Sequence, residues 1–545
     1  MFLVYTRRYN KAIDKLRRGA VPAESGRPRH KEDIAVEENA KYRQFQEAVL
    51  RVVSDPHLTH EQAMMQLSRL AESYTEGFPM PEGFLELQDE LNEMSAMGEG
   101  FVPYVPRYIL PDYDKLMREG CQFLRLDPPT NLREAINTLE IFYHHVPSTT
   151  HFPVFIGKLD RLLDPFIEDE AEAKVLIKDF MRFIDRTISD SFCHGDLGPE
   201  ATTAGRLILE AERELQDSTP NITLLYDPDK TPDDFACLCV QAALDCAKPS
   251  FANHKMFSAD LGENEYGIAS CYNGLLLGGG SYTLARLLLN NIAFHSEGKE
   301  DFFQNRLPRA IDVQCAIMDA KIDFLVNKSA FFRSNFLVTE GFVHPDRFTG
   351  MFGMVGMCEC VNDLLKKEGV AGRYGHDEVA NALGDEIMAF IDQRVKAHHN
   401  PYCPQTGGRF LLHAQVGVDS DSQCSPGVRI AIGDEPELYD HLRHCGRYEK
   451  YFVSGAGDIF PFESTAARNP ESVLDVIKGG FAAGMRYFST YSSDSDVIRI
   501  TGYLVKRSDM EKYDSGKAVQ HDTVALGANS MRLRHFDDRK LRSLC

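Results

Sequence analysis

Short β-prone runs alternate with strong helix starts in the second half of the chain, and this order limits the folds available to it. The run Asn221–Tyr226 is apolar and β-prone, and it ends in the turn Asp227-Pro228-Asp229. Thr231 can cap the following helix, Pro232 fits the first helical position, and acidic residues occupy the first turn. A strand followed by a helix recurs later, where Asn469-Pro470-Glu471 is another strong helix start. This alternation predicts an α/β fold in which helices cover buried strands.

Changes in composition divide the chain into four predicted regions. Residues 1–38 are polar and contain two prolines, which predicts a flexible arm. Residues 39–215 carry apolar positions at helical spacing, which indicates a mainly helical N-terminal part. Residues 216–490 form the predicted α/β core, and residues 491–545 form a C-terminal region. Beyond Ser508 that region becomes polar and basic, which predicts a solvated tail.

The composition argues against two classes of partner. The 545 residues carry a formal charge of −21, whereas a protein that neutralises nucleic-acid phosphates needs a basic surface. The longest uncharged segment, residues 267–285, is too rich in glycine and hydroxyl side chains to cross a bilayer. The few apolar residues at the N-terminus precede Arg7 and Arg8, which is the reverse of a secretory signal. We therefore expect a cytoplasmic protein that binds neither nucleic acid nor membrane.

The thirteen cysteines follow no disulfide or zinc framework. The close pairs Cys237/Cys239 and Cys358/Cys360 have one intervening residue, so on a helix their sulfurs would point in different directions. We expect reduced, buried thiols and no bound metal. The glycine triplet at residues 278–280 lacks the lysine and the spacing of phosphate-binding loops, so it predicts a close approach of two backbones.

A short motif near the C-terminus gives the first indication of chemistry. Residues 497–505 form two predicted extended pieces that meet at Gly502, within the sequence Arg499-Ile500-Thr501-Gly502-Tyr503. Far upstream, Cys271 lies on the glycine-flanked loop of residues 267–274. These two motifs resemble those of the YjjI-type glycyl radical enzymes. The resemblance is close over residues 215–510 and looser before them, and it includes the segments 220–226, 251–254, 458–462 and 494–506.

Radical chemistry explains why a glycine and a cysteine are needed together. A radical on a backbone α-carbon is stabilised in a planar geometry, and glycine has no side chain that opposes planarity. Such a radical stores an unpaired electron but is too stable to attack most substrates. A nearby thiol can pass its hydrogen atom to the glycine and become a reactive thiyl radical, for which no thiolate is required. The resemblance therefore implies that Gly502 stores the radical and that Cys271 attacks a small-molecule substrate under anaerobic conditions.

The resemblance also implies a fold and a set of partners. Glycyl radical enzymes have a ten-stranded α/β barrel of two five-stranded halves with outer helices, and the cysteine and glycine loops meet inside it. We expect this barrel here, together with a helical N-terminal region. The family further implies a separate radical S-adenosylmethionine (radical SAM) enzyme that installs the radical on Gly502, no bound cofactor, and a homodimer. The chain itself contains no Cys-x-x-x-Cys-x-x-Cys run that could hold an iron–sulfur cluster.

Departures from known subgroups leave the reaction open. Enzymes of the class that cleave pyruvate have two adjacent cysteines, whereas Ser270 precedes Cys271 here; dehydratases and carbon–nitrogen lyases usually have a glutamate where Asn273 stands. Residues 279–290 and 348–361 resemble anaerobic ribonucleotide reductases, but the four-cysteine zinc site of those enzymes has no counterpart after Gly502. A reductase-like reaction on a nucleotide or nucleoside remains an alternative, as does a non-catalytic radical-domain protein.

Five polar residues are candidates for lining the substrate cavity: Asn253, His254, Asn273, Glu340 and His413. Histidine titrates near neutrality, so His254 could relay a proton, or it could be a structural histidine at a strand end. Arg429 could hold an anionic substrate, although a surface ion pair would explain it equally well. No residue of this set identifies the substrate.

Overall fold

The computed structural model describes residues 31–74, 80–96, 103–148, 152–188, 191–415, 424–534 and 536–544. Most of the predicted arm, residues 1–30, lies outside the described residues, and a helix starts at Lys31. Among the described helices, none combines the length and the apolar composition that a membrane span needs.

The described strands are numbered in chain order. They are β1 Met94–Ser95, β2 Tyr108–Leu110, β3 His194–Leu197, β4 Asn221–Tyr226, β5 Ser250–Asn253, β6 Tyr266–Ala269, β7 Asn273–Leu276, β8 Gly279–Leu288, β9 Phe348–Val355, β10 Leu411–Ala414, β11 Asp458–Phe462, β12 Tyr487–Ser492, β13 Val497–Arg499 and β14 Leu504–Lys506.

These strands form two five-stranded sheets and two hairpins. The first sheet has the order β1-β8-β9-β10, and β2 also pairs with β8. The second sheet has the order β11-β12-β5-β4-β3. Most neighbouring strands are parallel, but β12 runs antiparallel to β5, and β1 and β2 run antiparallel to β8. The pairs β6–β7 and β13–β14 are separate antiparallel hairpins.

Helices precede, connect and follow these strands. They are α1 Lys31–Val53, α2 His60–Tyr74, α3 Tyr113–Glu119, α4 Leu132–Tyr143, α5 Leu159–Leu163, α6 Glu170–Thr187, α7 Thr203–Leu215, α8 Asp233–Cys246, α9 His254–Leu261, α10 Leu289–His295, α11 Lys299–Asp301, α12 Leu307–Asn327, α13 Phe331–Ser334, α14 Phe336–Thr339, α15 Met357–Lys367, α16 Glu378–Ala397, α17 Leu438–Glu449, α18 Pro470–Ala482, α19 Arg507–Asp514 and α20 Thr523–Arg534. Single turns of other helix types lie at Glu86–Glu90, Asp164–Phe166, Phe302–Arg306, Pro345–Arg347, Pro404–Thr406, Ser464–Arg468 and Phe536–Asp538.

The two predicted helix starts have different caps. Asn469 caps α18, because its side-chain oxygen accepts a hydrogen bond from the Ser472 amide. Helix α8 begins at Asp233, so Pro232 precedes the helix instead of occupying its first position as predicted, and Thr231 does not cap it. The Thr231 hydroxyl instead donates to the Pro199 carbonyl. This hydrogen bond connects the start of the helix to the loop that contains Pro199.

The mixed α/β fold predicted from the alternation of strands and helices is confirmed. Helix α8 packs on β12, and α12 packs on β8, so each sheet is covered by helices. The strands of both sheets are almost entirely buried. Strands β1, β2 and β3 precede residue 216 yet belong to the sheets, so the boundary between a helical part and a core at residues 215/216 stays a prediction.

The prediction of a solvated C-terminal tail is wrong. Helices α19 and α20 follow β14, and Phe536, Arg539 and Arg542 are buried. The Arg542 amide donates to the Pro461 carbonyl, so the end of the chain lies along β11. A segment rich in arginine is predicted to be solvated because charged side chains are usually exposed. Here the guanidinium groups are buried because they donate to backbone carbonyls that would otherwise lack partners.

Candidate functional site

Cys271 lies at the tip of the β6–β7 hairpin. Ala269 pairs with Asn273, so the turn consists of the three residues between them. Ser270 has φ +62°, in the left-handed region that a short hairpin turn requires and that a serine adopts at a cost of about 1–2 kcal/mol. Its amide donates to the Val154 carbonyl, which helps to hold the turn in this strained form.

The glycines beside the cysteine are required by close packing. A β-carbon added to Gly274 would lie 2.4 Å from Cε1 of Phe257, and one added to Gly267 would lie 2.6 Å from Cζ of Phe155. Both distances are shorter than real contacts, so a larger residue would displace the hairpin from the aromatic rings. The glycines on both sides of Cys271 are therefore explained by the close packing of both strands of the hairpin against aromatic rings.

The Cys271 thiol is buried and neutral. Only 3% of the residue is exposed, and Sγ donates to Oδ1 of Asn273 at 3.3 Å. Burial raises the pKa of the thiol to about 11, so it carries its hydrogen at physiological pH. A neutral thiol is the form that can donate a hydrogen atom, whereas a nucleophilic cysteine needs a lowered pKa.

Gly502 lies on the loop of the β13–β14 hairpin and is buried. Arg499 pairs with Leu504, and the Ile500 amide donates to the Tyr503 carbonyl at 3.1 Å across the turn. The side chains around this turn are almost completely buried. The loop is therefore enclosed by the protein, as an oxygen-sensitive group would require.

One side chain connects the two loops. Nδ2 of Asn221, the first residue of β4, donates to the Ser270 carbonyl at 3.3 Å and to the Gly502 carbonyl at 3.2 Å. The residue before Cys271 and Gly502 itself thus share a hydrogen-bond donor. The structure brings the cysteine hairpin and the glycine loop together, although they are far apart in the sequence.

A second hydrogen-bond network supports the cysteine hairpin through the carbonyls of Ser270 and Cys271. The Ser270 carbonyl accepts from Nδ1 of His194 at 3.0 Å, so the His194 proton is on Nδ1 and Nε2 accepts from the Thr223 hydroxyl at 2.7 Å. The Tyr487 hydroxyl lies 2.7 Å from the Thr223 oxygen and donates to the Cys271 carbonyl at 3.0 Å. Burial lowers the pKa of His194 to about 3, which keeps the imidazole neutral in this role.

Two arginines hold the glycine loop. The Arg499 guanidinium is buried, and its Nη2 donates to Oδ1 of Asn221 at 3.0 Å and to the Ala247 carbonyl at 2.9 Å. Arg539, near the end of the chain, donates to the carbonyls of Arg499 and Ile500 at 3.2 and 3.0 Å. Arg539 therefore binds two backbone carbonyls that precede Gly502, and Arg499 connects the motif to Asn221 and Ala247.

Two of the five predicted cavity residues lie at the cysteine hairpin. Asn273 accepts the thiol hydrogen of Cys271, and its Nδ2 is buried without a hydrogen-bond partner among the described residues. The His413 ring lies 5.6 Å from the Tyr272 ring, and its Nδ1 donates to the Ser454 carbonyl. Burial lowers the pKa of His413 to about 3, so it is neutral.

The other three predicted residues form structural contacts elsewhere. Asn253 caps α9 with its side-chain oxygen and donates from Nδ2 to the Met485 carbonyl. His254 is buried against the Tyr266 hydroxyl at 2.8 Å, at the start of the β6 strand. Both Glu340 oxygens accept backbone amides from residues 122 and 123. The structure does not bring these three side chains to the Cys271 thiol.

Arg429 is not in a surface ion pair, because only 8% of it is exposed. Its Nε donates to the Gly457 carbonyl at 2.7 Å and lies 3.6 Å from Asp458, and its guanidinium is 5.8 Å from the centre of the Tyr272 ring. Arg429 and Asp458 line a cavity of about 10 Å³ beside Tyr272, which is large enough for one water molecule. Glu449 also lines it, and burial raises the pKa of that carboxyl to about 8.

Three side chains near this cavity have metal-binding chemistry, and two of them, Cys445 and Asp458, line it, but the hydrogen bonds of the group do not leave it free to bind a metal. Ligand atoms of His441, Cys445 and Asp458 lie within 4.8 Å of one another. Arg542 can only donate, and its Nη2 lies 2.7 Å from Nδ1 of His441, so the imidazole proton is on Nε2 and points to Asp458 at 3.0 Å. Burial raises the pKa of the Asp458 carboxyl. The contacts with His441 and Arg429 lower that pKa by more, so it lies below its usual value. We interpret the cluster as a hydrogen-bond network.

Sequence reasoning missed the residues that join the two loops. Asn221 and Thr223 occupy alternate positions of the β4 run, which the sequence predicts as a strand but not as part of a site. Two polar residues on one face of an otherwise apolar strand were the available signal. Arg286 was also missed: Gly353 pairs with both Arg286 and His413, so these two side chains share the sheet face that meets Tyr272.

Comparisons with known proteins show the family of the chain and its fold. A model of the "Glycyl radical enzyme YjjI-like" family matches residues 58–542. An uncharacterized protein of Haemophilus influenzae is 43% identical over 507 residues, covering 91% of this chain and 97% of that protein. The crystal structure of the anaerobic ribonucleotide reductase from Thermotoga maritima with dATP and CTP has a TM-score of 0.62 at 12% identity, covering 89% and 91% of the two chains. The B12-independent glycerol dehydratase of Clostridium butyricum has a TM-score of 0.62 at 11% identity, covering 87% and 85%.

Proposed function

The chain belongs to the family of YjjI-like glycyl radical enzymes, and we propose that it stores a radical on Gly502 and uses it to form a thiyl radical on Cys271. The observation that carries this proposal is the Asn221 bridge, because it places the cysteine hairpin beside the glycine loop. The buried, neutral Cys271 thiol supports the same assignment. Family membership supports a radical enzyme in general, and the roles of the two residues are our proposal.

The proposed step is a hydrogen-atom transfer that conserves atoms and electrons. The S–H bond of Cys271 breaks, its hydrogen atom forms a C–H bond at the Gly502 α-carbon, and the unpaired electron moves to sulfur. The thiyl radical then takes a hydrogen atom from a C–H bond of the substrate. After the substrate radical has rearranged, the hydrogen atom returns to it from the thiol, and the radical returns to Gly502. No proton leaves the thiol, which agrees with its raised pKa.

We propose that the two five-stranded sheets are the halves of a ten-stranded barrel that encloses the reaction. The cysteine hairpin contacts β3 of one sheet through β6 and β8 of the other through β7. A hairpin between two covered sheets would hold the thiyl radical away from bulk water and in register with its reaction partners.

The substrate is proposed to be a small molecule that binds beside Asn273, His413 and Arg286. Asn273 contacts the thiol, and its amide nitrogen is available to a ligand. His413 and Arg286 extend from the sheet face that meets the cysteine hairpin. These groups can bind polar substituents, but they do not decide whether a carbon–carbon, carbon–oxygen or carbon–nitrogen bond is broken.

The chain needs a partner to acquire its radical. We propose a separate radical SAM enzyme, because this chain lacks the cysteine run that would hold the required cluster. That partner must reach Gly502, which is buried, so the β13–β14 loop must open during activation. A cytoplasmic, anaerobic homodimer is proposed on the family resemblance.

A reductase-like reaction on a nucleotide or nucleoside is the second candidate. Its support is the shared fold with the Thermotoga maritima enzyme, and a fold at 12% identity does not determine a substrate. The glycerol dehydratase has the same TM-score, so the fold is compatible with different reactions. A non-catalytic protein is a third candidate, which the presence of both Cys271 and Gly502 in one enclosed site disfavours.

Electron paramagnetic resonance (EPR) tests the proposal. After anaerobic co-expression with a radical SAM activating enzyme, we expect a doublet from the one hydrogen left on the Gly502 α-carbon. Air should then cleave the backbone at Gly502 and release residues 503–545 on a denaturing gel. Gly502→Ala should abolish both results, whereas Cys271→Ser should keep the radical and lose turnover in a metabolite screen. A doublet that persists in Gly502→Ala would refute the assignment.

A further inference from the structure

We propose that Asn221 is the positioning residue for radical transfer, in that its amide holds the Cys271 hairpin and the Gly502 loop at the separation that hydrogen-atom transfer needs. This inference rests on the proposed function and assigns a role to a residue outside both sequence motifs. The observation behind it is that Nδ2 donates to the carbonyls of Ser270 and Gly502, at 3.3 and 3.2 Å.

The backbone of Asn221 is firmly held. It is the first residue of β4 in the second sheet, it is completely buried, and its amide donates to the Cys193 carbonyl at 2.8 Å. It also pairs with His194 of β3. A side chain on a paired strand of a sheet can therefore serve as a fixed reference for two hairpins that are attached separately.

The orientation of the Asn221 amide follows from its partners. Arg499 can only donate, and it donates to Oδ1 of Asn221 at 3.0 Å, so this atom is the oxygen. The opposite end is then the NH₂ group, which has one hydrogen for each of the two carbonyls. A flipped amide would place its oxygen against two carbonyl oxygens, and an NH₂ group against the guanidinium.

Loss of this amide should affect transfer more than folding. The Ser270 carbonyl keeps its hydrogen bond from His194, and the glycine loop keeps its bonds from Arg539. Each hairpin is therefore still supported, but the shared donor that fixes their separation is gone. A misplacement of about 1 Å can slow a positioned reaction by about 100-fold, so a large kinetic effect is expected from a small structural change.

Asn221→Asp is the sharpest variant, because it keeps the shape of the side chain and the Arg499 contact but removes both hydrogens. Gln314→Glu is the matched control. Gln314 is completely buried on α12, and its Nε2 also donates to two backbone carbonyls, those of Ala285 and Gly353, at 3.1 and 3.2 Å. The control makes the same chemical change on the helix side of the first sheet.

Hydrogen exchange into the glycyl radical measures transfer without knowledge of the substrate. The thiol hydrogen exchanges with solvent, so in deuterated buffer each reversible transfer can place deuterium on the Gly502 α-carbon. Deuterium couples to the electron more weakly than hydrogen, and the EPR doublet collapses. The protein is activated anaerobically, moved into deuterated buffer and frozen at intervals, with Cys271→Ala as the variant that cannot exchange through this thiol.

We expect collapse of the doublet in the wild type and in Gln314→Glu at similar rates, and a rate about 100-fold lower in Asn221→Asp with a doublet of normal intensity. A rate in Asn221→Asp within threefold of the wild type would overturn the inference, as would an equal slowing in Gln314→Glu. If Asn221→Asp does not fold, Asn221→Ser is measured by the same criteria. A wild-type doublet that never collapses would contradict the proposed transfer to Cys271 rather than the role of Asn221.

Discussion

Replacing Arg539 with alanine should release the glycine loop while the rest of the protein stays folded. Arg539 is 8% exposed, and its guanidinium donates to the carbonyls of Arg499 and Ile500, with a weaker contact to the Tyr491 hydroxyl at 3.3 Å. No other contact described in this structure ties a C-terminal side chain to both carbonyls. Truncation therefore removes two charge-assisted hydrogen bonds from the loop that contains Gly502.

The size of the effect can be worked from those two bonds. A hydrogen bond to a charged group contributes about 1.5–3 kcal/mol, but water can enter the space left by the side chain and recover part of it. We therefore expect local opening of the loop to become easier by about 2 kcal/mol. Since 1.4 kcal/mol corresponds to a factor of ten, amides of residues 497–505 should exchange about 30-fold faster.

Hydrogen–deuterium exchange followed by mass spectrometry measures this directly. Lys367→Met is the matched control, because Nζ of Lys367 donates to the carbonyls of Ala293, Phe294 and Ser296 at a different part of the fold. The control should leave exchange in residues 497–505 unchanged. A change below threefold in Arg539→Ala, at an unaltered melting temperature, would refute the idea that this arginine holds the loop.

Three further perturbations follow from the site. Gly274→Ala should destabilise the protein by about 1–3 kcal/mol in denaturant unfolding, because the new methyl group meets Phe257 at 2.4 Å, and Phe257→Leu should recover part of the loss. His413 has a pKa of about 3 in the folded protein and 6.5 in the unfolded chain, so its protonation favours unfolding as the pH falls from 6.5 to 3. His413→Gln should therefore lower the slope of the unfolding free energy against pH in that range by at most about 1.4 kcal/mol per pH unit. An unchanged slope would contradict the buried, neutral state of His413. Tyr487→Phe should cost about 1–3 kcal/mol in unfolding experiments and keep the EPR doublet, because the hydroxyl contacts with the Thr223 oxygen and the Cys271 carbonyl are lost while the ring is kept.

Local sequence signals predicted the local structure well. The apolar run of β4, the start of α8 next to Pro232 and the cap of α18 by Asn469 all depend on neighbouring residues, which a sequence displays. The extended pieces on both sides of Gly502 are likewise a local pattern and form the β13–β14 hairpin.

Contacts between distant segments could not be predicted in the same way. Asn221 joins Ser270 to Gly502, and each partner is remote from it in the sequence, so no spacing rule indicates the bridge. Asn253 and Glu340 were plausible cavity residues by type, but their polar atoms are satisfied by backbone groups that only the folded chain brings near. Side-chain type defines what a residue can bind, and packing decides which partner it finds.

The buried C-terminal segment has a practical consequence for anyone who handles this protein in air. Strand β14, helices α19 and α20 and the last arginines all lie after Gly502 and pack against the body of the molecule. A nick at that glycine would leave two pieces held together by this packing, so the damaged material would elute from a sizing column like the intact chain. Native size and purity are then poor guides to integrity, and each preparation needs to be unfolded before its chain length is judged.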